Sequence, residues 1–316
     1  MNFLELNMQF LRNLAEWRTP LLDTLMAFFT RFGEETVFMV VALTVFWCVD
    51  KYKGYFLLTI GFAGTIINQA LKITFCIPRP WELDPTFQIV ESARAQAAGF
   101  SFPSGHTQNA VGTFGGIALF ANKTWVKAAC ILLALVVAFS RLYLGVHTPL
   151  DVVVSLVIAT LLIFLCYPLI EKMKHQKKFL SSLLLLMLVL SAGYLCYALC
   201  VRAAADAGGG NFDAAVKNGW CMLGAVVGMQ FAAMVDERYT RFETKAVWWA
   251  QILKVVLGLA LTVAVKTLLK APLTALFGPD SMGDSVRYCA MVLAAGVLWP
   301  MTFGWFAGLG RKKYLH

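Results

Sequence analysis

The sequence predicts an all-α, polytopic membrane bundle, and three observations predict it. Hydrophobic residues make up 59% of the 316 and charged residues 14%, where a soluble domain carries about a quarter charged. The apolar residues gather in long runs, several near the ~20 residues that a helix needs to cross a bilayer, and mean hydropathy is +0.69. No strand-period alternation competes with those runs, and backbone in lipid must be paired within a helix or a closed barrel.

Residues 1–18 are amphipathic. Phe3, Leu6, Phe10, Leu14 and Trp17 recur at helical spacing against Glu5, Gln9, Arg12, Asn13 and Glu16. The run is too broken to span, so it predicts a helix lying on the membrane surface. Thr19-Pro20 reads as a cap followed by proline at the first position of a second short helix, ending near Arg31. Nine spans are then expected, over residues 35–49, 54–75, 105–120, 128–144, 150–170, 179–201, 220–235, 247–269 and 286–309. The first is short for a bilayer and is expected to begin one turn earlier. Pro78 stops the second. A loop over 81–102 precedes the third, a connector over 171–178 is basic, and loops over 203–210 and 272–284 join the last spans. The pairs Gly112/Gly116 and Gly224/Gly228 have the small-residue spacing that lets helices approach closely. The division expected is 1–31 as N-terminal surface helices, 32–202 as the core, and 203–316 as a three-helix extension without a motif.

Net charge is +9, and its distribution explains it better than a nucleic-acid partner does. Lys51 and Lys53; Lys123 and Lys127; Lys172, Lys174, Lys177 and Lys178; Arg238, Arg241 and Lys245; and Arg311, Lys312 and Lys313 fall in alternate connectors. By the positive-inside rule those connectors are cytoplasmic. The eight cysteines form no Cys-x-x-Cys pair, and Cys196 and Cys200, one turn apart in an apolar run, read as packing. Neither a disulfide framework nor a zinc site is expected.

Three polar islands remain, all at the opposite membrane face from the basic connectors. They are Lys72 with Arg79-Pro80, then Pro103-Ser104-Gly105-His106, then Ser140-Arg141 with His147 and Asp151. Ionisable groups at membrane depth are costly and mark function. Lys72 and Arg79 are seven residues apart, two helical turns on one face. Ser104 can cap the helix that Gly105 opens, where free N–H groups and the dipole favour an anion. Thr148-Pro149 reads as cap and first residue of the next span, with His147 just outside and Asp151 in the first turn. Arg141 offers a planar donor fork. Taken singly, a Lys or Arg at a helix end snorkels to water. Together, three cations, two helix N-termini and a hydroxyl suit a phosphate-type dianion, two histidines supply nucleophile and acid, and Asp151 can fix one imidazole nitrogen as N–H.

The islands resemble the three signature motifs of the type 2 phosphatidic acid phosphatase family, which shares its helical core with the vanadium haloperoxidases. The resemblance implies that His147 attacks phosphorus to form a phosphohistidine, that Asp151 orients it, and that His106 protonates the leaving oxygen and then activates water. It implies that Lys72, Arg79, Ser104, Gly105 (by its backbone N–H) and Arg141 hold the phosphoryl oxygens. No cofactor and no metal are expected: a two-metal site needs several carboxylates, and besides Asp151 this face offers Glu82, Asp84 and Glu91, which read as solvated loop charges, with lid residues as their second reading. Arg94 in the same loop reads as solvent-facing, with a second phosphate as its functional alternative.

The expected activity is hydrolysis of a lipid phosphate or pyrophosphate, of polyprenyl pyrophosphate or phosphatidate type, at the extracytoplasmic face of a bacterial cell membrane. Alternatives are a lipid phosphotransferase, a phosphatase of a soluble sugar phosphate, and, outside enzymes, a lipid transporter or scramblase. Partners are the lipid substrate and the bilayer, with no nucleic acid; oligomeric state is left open. The chain should owe its specificity to the 81–102 loop, the N-terminal helix or the spans beyond residue 203.

Overall fold

The computed structural model describes residues 3–176, 178–204, 210–279 and 281–309. Most of the expected 203–210 loop, and the cations Lys177, Arg311, Lys312 and Lys313, lie outside the described residues. Among the described residues all regular structure is helical. The main helices are α1 (Phe3–Ala15), α2 (Pro20–Thr30), α3 (Glu35–Cys48), α4 (Lys51–Phe75), the short α5 (Pro80–Leu83), α6 (Gly105–Ala110) and α7 (Gly116–Phe120). They continue as α8 (Thr124–Tyr143), α9 (Pro149–Cys166), α10 (Leu169–His175), α11 (Phe179–Ala204), α12 (Gly210–Val235), α13 (Trp248–Leu268), α14 (Lys270–Phe277), α15 (Met282–Leu293) and α16 (Phe303–Gly308).

Seven helical stretches among the described residues are long and apolar enough to cross a membrane, beginning at Lys51, Thr124, Pro149, Phe179, Gly210, Trp248 and Met282. The two remaining expected spans are present as shorter helices. Glu35–Cys48 does not begin a turn early: a 3-10 turn, Arg31–Gly33, occupies that place. The 105–120 span is α6 and α7 joined through a π turn, Val111–Gly115. Two later boundaries also move. The 220–235 span starts ten residues sooner, at Gly210, because Asn211, Asp213 and Lys217 mask its first turns in a hydropathy reading. Half of the expected 272–284 loop is α14, with Pro272 in its first turn, where a missing N–H costs nothing.

The chain forms two compact units that interleave along the sequence. Unit 1 comprises residues 1–39, 57–168 and 204–212. Its N-terminal helix has a second apolar face, in which Met8 and Leu11 join the Leu14 of the spacing pattern. Met8, Leu11 and Leu14 are buried against Phe87, Ile89 and Ala93 of the 81–102 loop and against Tyr143, Leu144 and Val146. Leu6, Phe10 and Trp17 stay exposed, as a lipid-facing side requires. Arg12 pairs with Asp84 at 2.6 Å, and Arg18 donates to the carbonyls of Tyr143 and Gln88. Gly145 is held at φ +77, and a Cβ there would meet Arg18 Nη2 at 2.6 Å, so this turn takes glycine for both reasons.

Unit 2 comprises residues 40–56, 169–203 and 213–316. Its interior holds a fully buried lysine. Lys254 Nζ donates to the Thr244 carbonyl at 3.0 Å and lies 4.1 Å from the Phe303 ring centroid, so a carbonyl dipole and a π face replace its water. Phe46, Phe242 and Phe303 follow edge to face, and Trp47 Nε1 donates to the Ala295 carbonyl. The small-residue pair on α12 does what its spacing predicts. A Cβ on Gly224 would fall 1.9 Å from the Ser285 carbonyl oxygen, and one on Gly228 would fall 2.9 Å from Val292 Cβ, so α12 and α15 touch backbone to backbone.

Because the Gly224 neighbour is backbone, it has no rotamer with which to yield. Gly224→Leu is expected to lower the unfolding temperature in detergent by several degrees, reflecting about 1–3 kcal/mol of overpacking. An unchanged melting curve would contradict the close approach.

Candidate functional site

The three polar islands come together in unit 1, on the ends of α4, α6, α8 and α9. Lys72 sits in the last turn of α4. That helix closes on Cys76, which adopts the left-handed conformation at φ 48 before Pro78 ends any continuation. Arg79 follows at once and is buried. Its Nε donates to the Gly99 carbonyl at 2.9 Å, Nη2 to the Ala98 carbonyl at 2.8 Å, and Nη1 to the Val146 carbonyl at 2.9 Å. Lys72 Nζ donates to the carbonyls of Phe100 and Ser101. Both cations therefore hold the far end of the 81–102 loop, residues 98–101, against the site residues.

Ser104 caps α6 as expected, its Oγ accepting from the Thr107 N–H at 3.4 Å and from Thr107 Oγ1 at 3.0 Å. Gly105 is then the first residue of the helix. The Ser104 N–H donates to the Asp151 carbonyl at 3.2 Å, which ties the second island to the third through backbone alone.

Asp151 is the hub of the third island. Thr148 and Asp151 form a capping box at the start of α9: Thr148 Oγ1 accepts from the Asp151 N–H, and Asp151 Oδ2 accepts from the Thr148 N–H at 2.8 Å. The same Oδ2 accepts from Ser101 Oγ at 2.6 Å and lies 3.3 Å from His147 Nδ1. A carboxylate only accepts, so Nδ1 carries the imidazole proton and Nε2 keeps an unprotonated lone pair. Arg79 Nη1, a pure donor, stands 2.9 Å from that Nε2, as this tautomer requires. His147 lies in the connector between α8 and α9. Burial first, and then the positive charges of Arg79, Arg141 and Lys72, hold its pKa well below the usual imidazole range.

Arg141 is wholly buried in the last turn of α8. Its Nη1 donates to Thr30 Oγ1 at 2.7 Å, while Nε and Nη2 are buried without a partner, and so is His106 Nε2. A buried donor without an acceptor costs ~1–3 kcal/mol. Two such guanidinium nitrogens and the buried His106 Nε2 are groups whose hydrogen-bonding capacity an anion could take up.

Of the loop carboxylates, Glu82 and Glu91 are exposed, as solvated charges would be, and all three have partners. Asp84 is held at a pKa of about 2 by Arg12 and then Thr86. Glu82 accepts from the Arg79 N–H at 2.8 Å, which fixes the turn that carries Arg79. Glu91 and Arg94 pair with each other at the surface. Two residues were not expected at all. Ser101 reaches Asp151 across fifty positions, and Asn7 of α1 accepts from the Leu150 N–H in the first turn of α9. No short spacing signals either, because both partners are distant in sequence.

The PAP2 superfamily profile matches residues 52–175, and one described as PAP2 superfamily phosphatase, transmembrane extension, matches residues 220–312. An undecaprenyl-diphosphatase, BcrC, of Bacillus subtilis (strain 168) is 30% identical over 151 residues, 46% of this chain and 74% of that protein. The chain belongs to the PAP2 superfamily. A phosphatidylglycerophosphatase B of the same organism is 29% identical over 174 residues, covering 51% and 81% of the two chains. The crystal structure of a transmembrane PAP2 type phosphatidylglycerolphosphate phosphatase from Bacillus subtilis is similar with 25% identity and a TM-score of 0.46, over 54% of this chain and 88% of that one. All three islands fall within the first PAP2 match, and the second covers the stretch that carries no motif.

A lowered folded-state pKa keeps His147 neutral where an unfolded histidine would protonate. The stability this contributes is present above about pH 6.5 and is lost as pH falls below it. In 15N-histidine NMR, His147 is expected to remain a neutral Nδ1–H tautomer at pH 6. A resonance titrating near pH 6.5 would contradict the assignment.

Proposed function

We propose that this chain is an integral-membrane phosphatase that removes phosphate from a lipid monoester or pyrophosphate through a phosphohistidine at His147. The observation that carries the reading is the set of buried, unpartnered nitrogens on Arg141 and His106, beside a histidine whose Nε2 is kept unprotonated by Asp151. Nε2 attacks phosphorus as the bond to the leaving oxygen breaks. His106 donates the proton that the leaving oxygen takes up, then accepts one from the water that opens the P–N bond. Arg141, Arg79, Lys72, Ser104 and the Gly105 N–H stabilise charge on the three equatorial oxygens, which is most of what phosphoryl transfer asks of a protein.

The substrate class follows from two supports. The matched relatives are named for undecaprenyl diphosphate and phosphatidylglycerophosphate, both lipids. The site also lies on span ends, where a headgroup can enter from the leaflet, and the charge distribution of the connectors favours the extracytoplasmic one. The cluster's charge is supplied by lysine and arginine and its one carboxylate is bonded to Ser101, Thr148 and His147, so hydrolysis should not depend on a divalent metal.

The test is phosphate release by the purified protein in detergent with excess chelator, across undecaprenyl pyrophosphate, phosphatidylglycerophosphate, phosphatidate, a sphingoid phosphate and glucose 6-phosphate. A lipid is expected to turn over and the sugar phosphate not to. His147→Ala should abolish turnover. Ser101→Ala, which removes one hydrogen bond to a charged group, should lower kcat by about 10–100-fold with KM little changed. Activity that survives His147→Ala, or that requires added metal, would overturn the mechanism.

A further inference from the structure

A basic cavity lies in unit 2, away from the three islands in sequence. Five cations converge on one cavity of about 840 Å³ from three separate chain segments: Lys51 at the start of α4, Lys174 and Lys178 at the corner of α10 and α11, and Arg238 and Arg241 after α12. Two carboxylates line it, Asp236 and Glu237; Lys51 is paired with Asp236, and Lys174 with Glu171 and Asp50, so the charge offered to the cavity comes from Lys178, Arg238 and Arg241. The apolar part of the wall is supplied by Tyr52, Tyr55, Met173 and Met234. A volume of this size falls within the usual range of ligand pockets, ~300–1,000 Å³.

The positive-inside rule explains why these connectors are basic. It does not explain why the cations share one cavity, nor why the backbone is shaped to hold them there. α12 does not simply end. It widens into a π turn, Asp236–Thr240, and closes on Arg241 in the left-handed conformation at φ 39, a costly state for a residue with a Cβ. The buried Asp236 holds that turn. Its Oδ1 accepts from Thr240 Oγ1 at 3.1 Å and from the Phe242 N–H at 3.0 Å, and its Oδ2 accepts from Lys51 Nζ at 2.6 Å. Asp236 is thus committed to the scaffold, and the exposed side chains of Lys178, Arg238 and Arg241 supply charge at the cavity.

We infer that this cavity binds the phosphate headgroup of an anionic membrane lipid that is not the substrate. A basic pocket among span ends, with an apolar and aromatic wall for the glycerol and upper acyl region, is the arrangement that recognises such headgroups. The tyrosines suit the membrane–water boundary, where an amphipathic ring has both its environments.

The test uses full-length protein reconstituted in bilayers of equal phosphatidylglycerol and phosphatidylcholine, extracted gently and examined by native mass spectrometry for retained lipid. Wild type is expected to retain phosphatidylglycerol preferentially. The double variant Lys178→Gln/Arg238→Gln should reduce that preference about 30-fold, two basic residues having been removed. The charge-preserving Lys178→Arg/Arg238→Lys should restore it, which separates lost binding from lost folding. Undiminished preference in the neutral variant would overturn the site. Displacement by soluble glycerol 3-phosphate at equal concentration would overturn the lipid as its source. Phosphate release from the substrate panel is measured on the same samples, so an inactive wild type counts against the proposed hydrolysis and leaves the retention result standing.

Discussion

One carboxylate organises the candidate site. Asp151 closes the capping box of α9, accepts from Ser101, faces His147 Nδ1, and through its own carbonyl receives the Ser104 N–H. Helix start, loop, proposed nucleophile and second island are therefore set by one residue. Burial makes this possible. In water each of these hydrogen bonds would be worth little against solvent, whereas in a dry interior an unmade one is expensive, so the network specifies one geometry.

The cations obey the same logic from the opposite sign. Buried guanidinium and ammonium groups need acceptors, and Arg79 and Lys72 find them in the carbonyls of residues 98–101 and Val146. The 81–102 loop is consequently part of the site's electrostatics. α1 supports the arrangement from outside, with Met8, Leu11 and Leu14 packed on that loop and Asn7 on the first turn of α9. An anion entering at Arg141 would meet a cradle whose positive charges are already fixed in place, so little reorganisation is left for the reaction itself.

How much of this the sequence made legible depends on distance along the chain. Helix caps are written in adjacent residues, so Thr19-Pro20, Ser104-Gly105 and Thr148-Pro149 could be read directly, and all three cap helices. The spacing of His147 and Asp151 is one helical turn, and the structure puts Nδ1 beside the carboxylate. Gly224/Gly228 declared a close helix contact that is found. Ser101 and Asn7 were invisible because their partners are fifty or more residues away and neither sits in a periodic pattern. The buried face of α1 was missed for a subtler reason: Met8 and Leu11 were hidden beside the stronger stripe of Leu6, Phe10 and Trp17, which stays exposed. The first turns of α12 were missed because Asn211, Asp213 and Lys217 interrupt its hydropathy signal, and α14 because Pro272 reads as a helix stop.

The central claim is that His147 carries the phosphoryl group. Its most direct measurement is rapid quench of the purified protein with lipid substrate labelled in the transferred phosphate, under alkaline conditions that preserve phosphohistidine. His106→Ala is run in parallel to slow hydrolysis of the intermediate. The account predicts alkali-stable, acid-labile label that accumulates in His106→Ala and maps by peptide mass to His147. Label on Ser104, or turnover with no covalent label in either protein, would contradict it.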